Sequence, residues 1–279
     1  MWEVSPPATS ALAAFRTCIR TIEDLDLRQR LRNAENSIVD ADKKFIAAVH
    51  AGDVSSLDPK ALGMPDVSTK EMEWVYKNRM VKSTGRSIYE KLKLAAKEDR
   101  CPLCGHRDVS TLDHYLPKTV IPALAVNPYN LVPACSECNK IKRAIMPRVA
   151  EDATMNPYFD SFDDELWLVS DVLRTVPASF RFRVSRPASW DDVTSARAMK
   201  HFEVFDLAQL YSTQAARELV NIRYSLNIVS GVGGERAVQD HLAREAASRI
   251  AAHLNSWESA MYSAMSVQDW FCRGGYASP

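Results

Sequence analysis

The chain has 279 residues, and its 35 Lys and Arg balance its 35 Asp and Glu, so its formal net charge is zero. This length is enough for one large or two small domains with a hydrophobic core. Overall charge is therefore not evidence for or against a nucleic-acid partner. No run approaches the roughly 20 apolar residues of a membrane helix, and Glu3 and Arg16 interrupt any signal peptide. We expect no membrane partner.

The N-terminal part is predicted to be helical. Residues 8–50 carry apolar side chains at spacings of three and four, which is typical of helices packed on a core. A loop with Gly, Ser, Asp and Pro follows from Gly52 to Asp66. Ser68 and Glu71 then have the spacing of a capping box, so we expect a new helix to begin there.

The next segment is basic. Tyr76 to Arg100 contains eight Lys or Arg against three Asp or Glu, whereas Val149 to Arg174 has seven acidic residues and one Arg. A basic half beside an acidic segment creates a field that can orient a phosphate backbone. The helix predicted from Ser87 to Lys97 is our candidate for contact with DNA. A solvated helix face explains the Tyr76–Arg100 charges equally well.

Two Cys-x-x-Cys pairs, Cys101/Cys104 and Cys135/Cys138, are separated by thirty residues. A two-residue gap lets one tight turn present two thiolates to one zinc ion, so two such turns complete a tetrahedral site with Zn–S about 2.3 Å. With four thiolate ligands the zinc is structural. A redox or disulfide pair is the alternative, but the second, matched pair favours zinc. Thiols free for zinc indicate a reducing, cytoplasmic setting.

Polar residues between and after these pairs suit a hydrolytic site. Val109–Tyr115 has strand composition and offers Asp113 and His114, while Asn139–Ile145 has helix composition. Zinc would bring these two elements and a second strand together. A carboxylate and an amide oxygen, with waters and phosphate, suit Mg²⁺ or Mn²⁺, and a nearby imidazole can take a proton from water. Alternatively, Asp113 and His114 only close a hydrogen-bonded turn.

The runs CPLC, LDHYLPK and NPYNLVPACSECN, with Lys142 after them, resemble the HNH endonucleases whose ββα-metal core carries a four-cysteine zinc. The resemblance implies that His114 is the general base that activates water. It implies that Asp113 is a ligand of the catalytic Mg²⁺ or Mn²⁺. Asn130 would tie the loop between the strands, and Asn139, where many relatives have His, would be the second metal ligand.

The resemblance also implies a DNA substrate. The candidate phosphate contacts are then Lys118, Lys140, Lys142 and Arg143. The flanks are similar, more loosely, to HNH proteins of bacterial antiphage defence, which often work beside an ATPase; this chain has no Walker motif, so an ATPase would be a partner. A homo-oligomer would allow two sites to cut both strands. A zinc-stabilised adaptor that binds DNA or protein without catalysis is the alternative.

Beyond the motif, Leu166–Val169 and Phe180–Val184 are predicted strands. Helical periodicity from Phe202 onwards is interrupted at Gly231–Gly234. We therefore expect an α+β, mostly helical chain in three parts. These are N-terminal helices over 1–67, an HNH ββα-metal core with its preceding basic helix over 68–160, and a mainly helical domain with a short β element over 161–279.

Overall fold

The computed structural model describes residues 2–161 and 163–277. It is mostly helical with two small antiparallel sheets, which agrees with the α+β expectation. The chain divides into two compact units after Asp160, and the helices predicted for 1–67 belong to the first unit rather than to a region of their own. Among the described residues, no helix has the length and apolarity that a membrane crossing requires.

The first unit opens with three helices, α1 (Ala11–Ile19), α2 (Leu25–Asn33) and α3 (Glu35–His50). The side chains of Ser10 and Asp24 begin α1 and α2 by accepting hydrogen bonds from backbone N–H groups three residues on. Phe15 and Phe45 are fully buried on the apolar faces of α1 and α3. The helical prediction for residues 8–50 is therefore confirmed.

The capping box predicted at Ser68 is confirmed and begins α4 (Thr69–Val75). A π-helical turn (Tyr76–Met80) follows, and α5 (Arg86–Lys93) begins after Gly85. A Cβ at Gly85 would lie 2.8 Å from the Met80 Cα. Glycine is thus required here for close approach of the backbone, and this approach fixes the turn against α5.

A hairpin and a short helix follow. Strands β1 (Thr111–His114) and β2 (Leu131–Ala134) pair antiparallel, with His114 opposite Leu131. β1 is shorter than the predicted Val109–Tyr115, although one hydrogen bond continues the ladder beyond each end. α6 (Ser136–Lys142) begins earlier than the predicted Asn139–Ile145 because the Cys135 side chain caps it, and it ends at Arg143, whose φ is 57°.

The second unit begins at Ser161. Its elements are the antiparallel strands β3 (Leu168–Leu173) and β4 (Ser179–Val184), the helices α7 (Asp192–Val204), α8 (Leu207–Ala252) and α9 (Trp257–Ser266), and a π-helical turn (Phe271–Gly275). Both predicted strands are present. β3 extends beyond Val169 because Ser170 to Leu173 also pair with β4. The predicted interruption lies within α8, where Gly233 and Gly234 have non-helical backbone angles.

Candidate metal centre and hydrolytic site

The four paired cysteines form one buried cluster: Cys101, Cys104, Cys135 and Cys138. Their sulfur atoms all lie within 4.8 Å of one another. In the first turn, the Gly105 N–H donates to the Cys101 carbonyl at 2.7 Å and Gly105 has a φ of 59°. In the second, the Cys138 N–H donates to the Cys135 sulfur at 3.3 Å. The cluster can hold a structural metal such as zinc, for which four thiolates are a typical ligand set.

Arg107 is an additional residue of this centre that the sequence did not single out. Its Nη1 is buried and finds no hydrogen-bond partner among the described residues. Burial lowers the pKa of Arg107, and the thiolates of the cluster raise it by more. Four thiolates around a divalent ion carry a net charge of −2, so a guanidinium beside them offsets charge that is removed from water. Its position three residues after Cys104 is the sequence signal that would have found it.

Asp113 and Lys142 join the hairpin to α6. The Lys142 Nζ lies 2.8 Å from the Asp113 Oδ2, and both side chains are only 7% exposed. Lys142 also donates a hydrogen bond to the His114 carbonyl at 2.6 Å. Burial raises the pKa of Asp113, and the nearby Lys142 opposes that shift without cancelling it. The expectation that Lys142 contacts phosphate is therefore corrected, because its ammonium group is buried and bound.

His114 is held at one ring nitrogen. Its Nε2 lies 2.9 Å from the Ala125 carbonyl. A carbonyl only accepts, so Nε2 carries the hydrogen and the neutral ring has its lone pair on Nδ1. Burial, with the positive charge of Lys118, lowers the pKa of His114 to about 3. His114 is therefore uncharged at neutral pH, and the edge of its ring meets Tyr76 with centroids 4.4 Å apart.

Asn130 is fully buried and holds the loop between β1 and β2. Its Oδ1 accepts from the Leu116 N–H at 2.7 Å, and its Nδ2 donates to the carbonyls of Leu116 at 2.9 Å and Leu124 at 3.2 Å. This side chain is fully used within the loop, as the resemblance implied. It is not available to a substrate.

Asn139 lies on α6, three residues before Lys142. Residues at this spacing share a helix face, and Lys142 reaches Asp113, so Asn139 lies towards the β1 side of α6. Its side chain is half-exposed, and within residues 2–161 and 163–277 it makes no hydrogen bond. Its amide oxygen is therefore an available hard ligand.

The other three side chains predicted to contact phosphate are more exposed than Lys142. Lys118 is half-exposed, with its Nζ 5.4 Å from the centroid of the Tyr76 ring. Lys140 and Arg143 are exposed at the C-terminal end of α6. The basic helix α5 packs against β1 and β2. One of its basic side chains is engaged within the helix, because the Arg86 guanidinium lies over the Tyr89 ring.

These observations describe a hairpin and a short helix joined at a buried four-cysteine group that can bind a metal. Comparison with known proteins gives one similarity: the chain is 26% identical over 234 residues to protein ea31 of Escherichia phage lambda, a match that covers 78% of this chain and 79% of the phage protein. No family model matches the chain. No solved structure matches it either. The name of the phage protein states no activity, so any function must be argued from the site.

Proposed function

We propose that this protein is a metal-dependent endonuclease of the HNH type that hydrolyses DNA phosphodiester bonds. The observation that carries the proposal is His114, a buried, uncharged imidazole whose Nε2 is tied to the Ala125 carbonyl. A histidine oriented in this way presents its other nitrogen as a proton acceptor. It lies next to Asp113, on a strand that α6 packs against.

The residues that would hold Mg²⁺ or Mn²⁺ are Asp113 and Asn139. A carboxylate has two oxygens with about four lone-pair sites, so the contact with Lys142 does not exhaust its capacity. The amide oxygen of Asn139 is a second hard donor. Two protein oxygens, completed by water and substrate phosphate, are the ligand set that Mg²⁺ prefers. When bound, the ion would supply positive charge that stabilises the phosphate oxygens during displacement.

The chain's own groups would carry the proton transfer and part of the substrate binding. The Nδ1 of His114 would accept a proton from water. The hydrogen bond from Nε2 to the Ala125 carbonyl would become charge-assisted and offset part of the cost that burial and Lys118 impose on the imidazolium. Lys118, which is half-exposed beside this ring, would bind phosphate.

The defence role follows from the looser resemblance of the flanks. We propose that the nuclease acts as an antiphage effector and that its activity depends on a partner ATPase. Plasmid cleavage should therefore be measured with and without the products of neighbouring genes.

The test is cleavage of supercoiled plasmid by zinc-loaded protein with and without added Mn²⁺. We expect cleavage that requires Mn²⁺ and is abolished in His114→Gln, with unchanged zinc content and circular dichroism. His50→Gln is the matched control, because His50 is an exposed histidine of the same unit. Cleavage by His114→Gln at the wild-type rate would refute the proposal, as would wild-type protein that never cuts, with or without its partner.

A second candidate is a non-catalytic zinc-stabilised adaptor. The observation that favours it is the burial of the proposed catalytic pair, since Asp113 is 5% and His114 8% exposed and Asp113 is bound by Lys142. An adaptor would bind DNA or protein without binding Mn²⁺. Titration calorimetry with Mn²⁺ separates the two candidates, because the nuclease requires one bound ion in addition to zinc.

A further inference from the structure

Tyr76 contacts two groups of the candidate site at once. Its ring meets His114 edge to face, with centroids 4.4 Å apart and an interplanar angle of 68°. The Lys118 Nζ lies 5.4 Å from the centroid of the same ring. Within the part of the chain that the structure describes, the Tyr76 hydroxyl makes no hydrogen bond. Both of these contacts are made by the ring, while burial and the nearby charges of Tyr89 and Asp113 raise the pKa of the Tyr76 hydroxyl.

His114 is buried and held by two contacts of different kinds. The hydrogen bond from Nε2 to the Ala125 carbonyl fixes one end of the imidazole, and Tyr76 packs against the ring itself. An aromatic ring packed edge to face limits tilting of the imidazole, because the favourable geometry is directional. The same ring attracts the Lys118 ammonium through its π face.

The backbone around Tyr76 explains why its ring is held at this position. Tyr76 begins the π-helical turn, in which the Val81 N–H donates to the Tyr76 carbonyl at 3.0 Å. The wider turn re-aims the side chains that follow α4. Val75, directly before the turn, and Met80, its last residue, are fully buried. Tyr76 is thus anchored by packed neighbours rather than by its own hydroxyl.

We propose that Tyr76 is a positioning residue whose ring, together with the Ala125 carbonyl, holds His114 in a single tautomer with Nδ1 unprotonated, and places Lys118 beside it. The proposal rests on the proposed function for its catalytic meaning, since it assumes that His114 is the base. Its structural content, the fixed tautomer, does not depend on activity.

The test compares Tyr76→Phe, which keeps the ring, with Tyr76→Leu, which removes it. Proteins are zinc-loaded, full-length and labelled with ¹⁵N at histidine, and the His114 ring nitrogens are observed by NMR at one fixed pH near neutrality. We expect the wild type and Tyr76→Phe to show protonated Nε2 only, and Tyr76→Leu to show a mixture of tautomers. Where the wild type cuts, Tyr76→Leu should reduce kcat on the order of 10²-fold, and Tyr76→Phe should keep the wild-type kcat.

Tyr129→Leu is the matched control for lost packing. Tyr129 is a half-buried tyrosine of the same unit whose ring packs against Phe159 rather than His114, so this variant should leave the His114 signals unchanged. The inference is overturned if Tyr76→Leu keeps the wild-type His114 signals, or if Tyr76→Phe is as defective as Tyr76→Leu. A wild type that never cuts, with a mixed tautomer in Tyr76→Leu, refutes the nuclease and leaves the positioning role standing.

Discussion

Replacing Asn130 with Ala tests whether one buried amide holds the loop between β1 and β2. The substitution removes three hydrogen bonds to backbone groups of Leu116 and Leu124. The Leu124 carbonyl keeps a bond from the Asn127 N–H at 3.2 Å, so the N–H and carbonyl of Leu116 are the groups left unpaired. Each buried unpaired group costs about 1–3 kcal/mol. The free energy of unfolding of the first unit should therefore fall by about 2–6 kcal/mol.

The assay is urea denaturation at saturating zinc, followed by circular dichroism and fitted by linear extrapolation. Asn139→Ala is the matched control, because the same truncation is made at a half-exposed amide that has no hydrogen bond in the described chain. It should change stability by less than about 0.5 kcal/mol and abolish Mn²⁺-dependent cleavage. A cost below about 1 kcal/mol for Asn130→Ala, or equal costs for the two variants, would show that the amide does not hold the loop.

Two further predictions concern zinc and pH. Cys101→Ala should lose bound zinc and thermal stability together, because metal binding and folding are coupled. Cys18→Ala, at an isolated buried cysteine, should keep its zinc. The measurements are elemental analysis and melting curves, and equal zinc content in the two variants would contradict metal binding by the cluster. The pKa of His114 falls from 6.5 to about 3 on folding. Between these pH values the unfolded chain binds a proton that the folded chain does not bind. The free energy of unfolding is therefore highest above pH 6.5 and decreases as the pH falls towards 3. From pH 7 to pH 5 this loss is about 2 kcal/mol, and His114→Gln should lack it; equal pH dependence of unfolding in the two proteins would contradict the burial of a neutral His114.

Features with local causes could be predicted from the sequence. The capping box at Ser68 depends on two side chains three residues apart, and its hydrogen bonds are present in the structure. The two cysteine turns follow from a fixed spacing and from the ligand preference of zinc, and the four sulfur atoms do lie together. The alternating pattern over Phe180–Val184 likewise gave a strand, because a half-buried strand requires that alternation.

The ends of some elements were predicted less accurately, because a single side-chain contact set them. The helix after the second cysteine pair begins at Ser136 rather than at Asn139 because the Cys135 sulfur caps it. Its last residue, Lys142, is buried in an ion pair with Asp113. The predicted phosphate contact required Lys142 to be accessible, which is the usual position of a lysine.

The sequence by itself determined that a four-cysteine group able to bind a metal is present and which residues the proposed function requires, because each role needs a particular chemical group. Only the tertiary structure decided how buried these residues are, what they contact and whether they are charged. Tyr76 and Ala125 reach His114 from distant parts of the chain, and burial sets its pKa. Such contacts and the loss of water around a side chain depend on how the whole unit packs, and no short stretch of sequence contains that information.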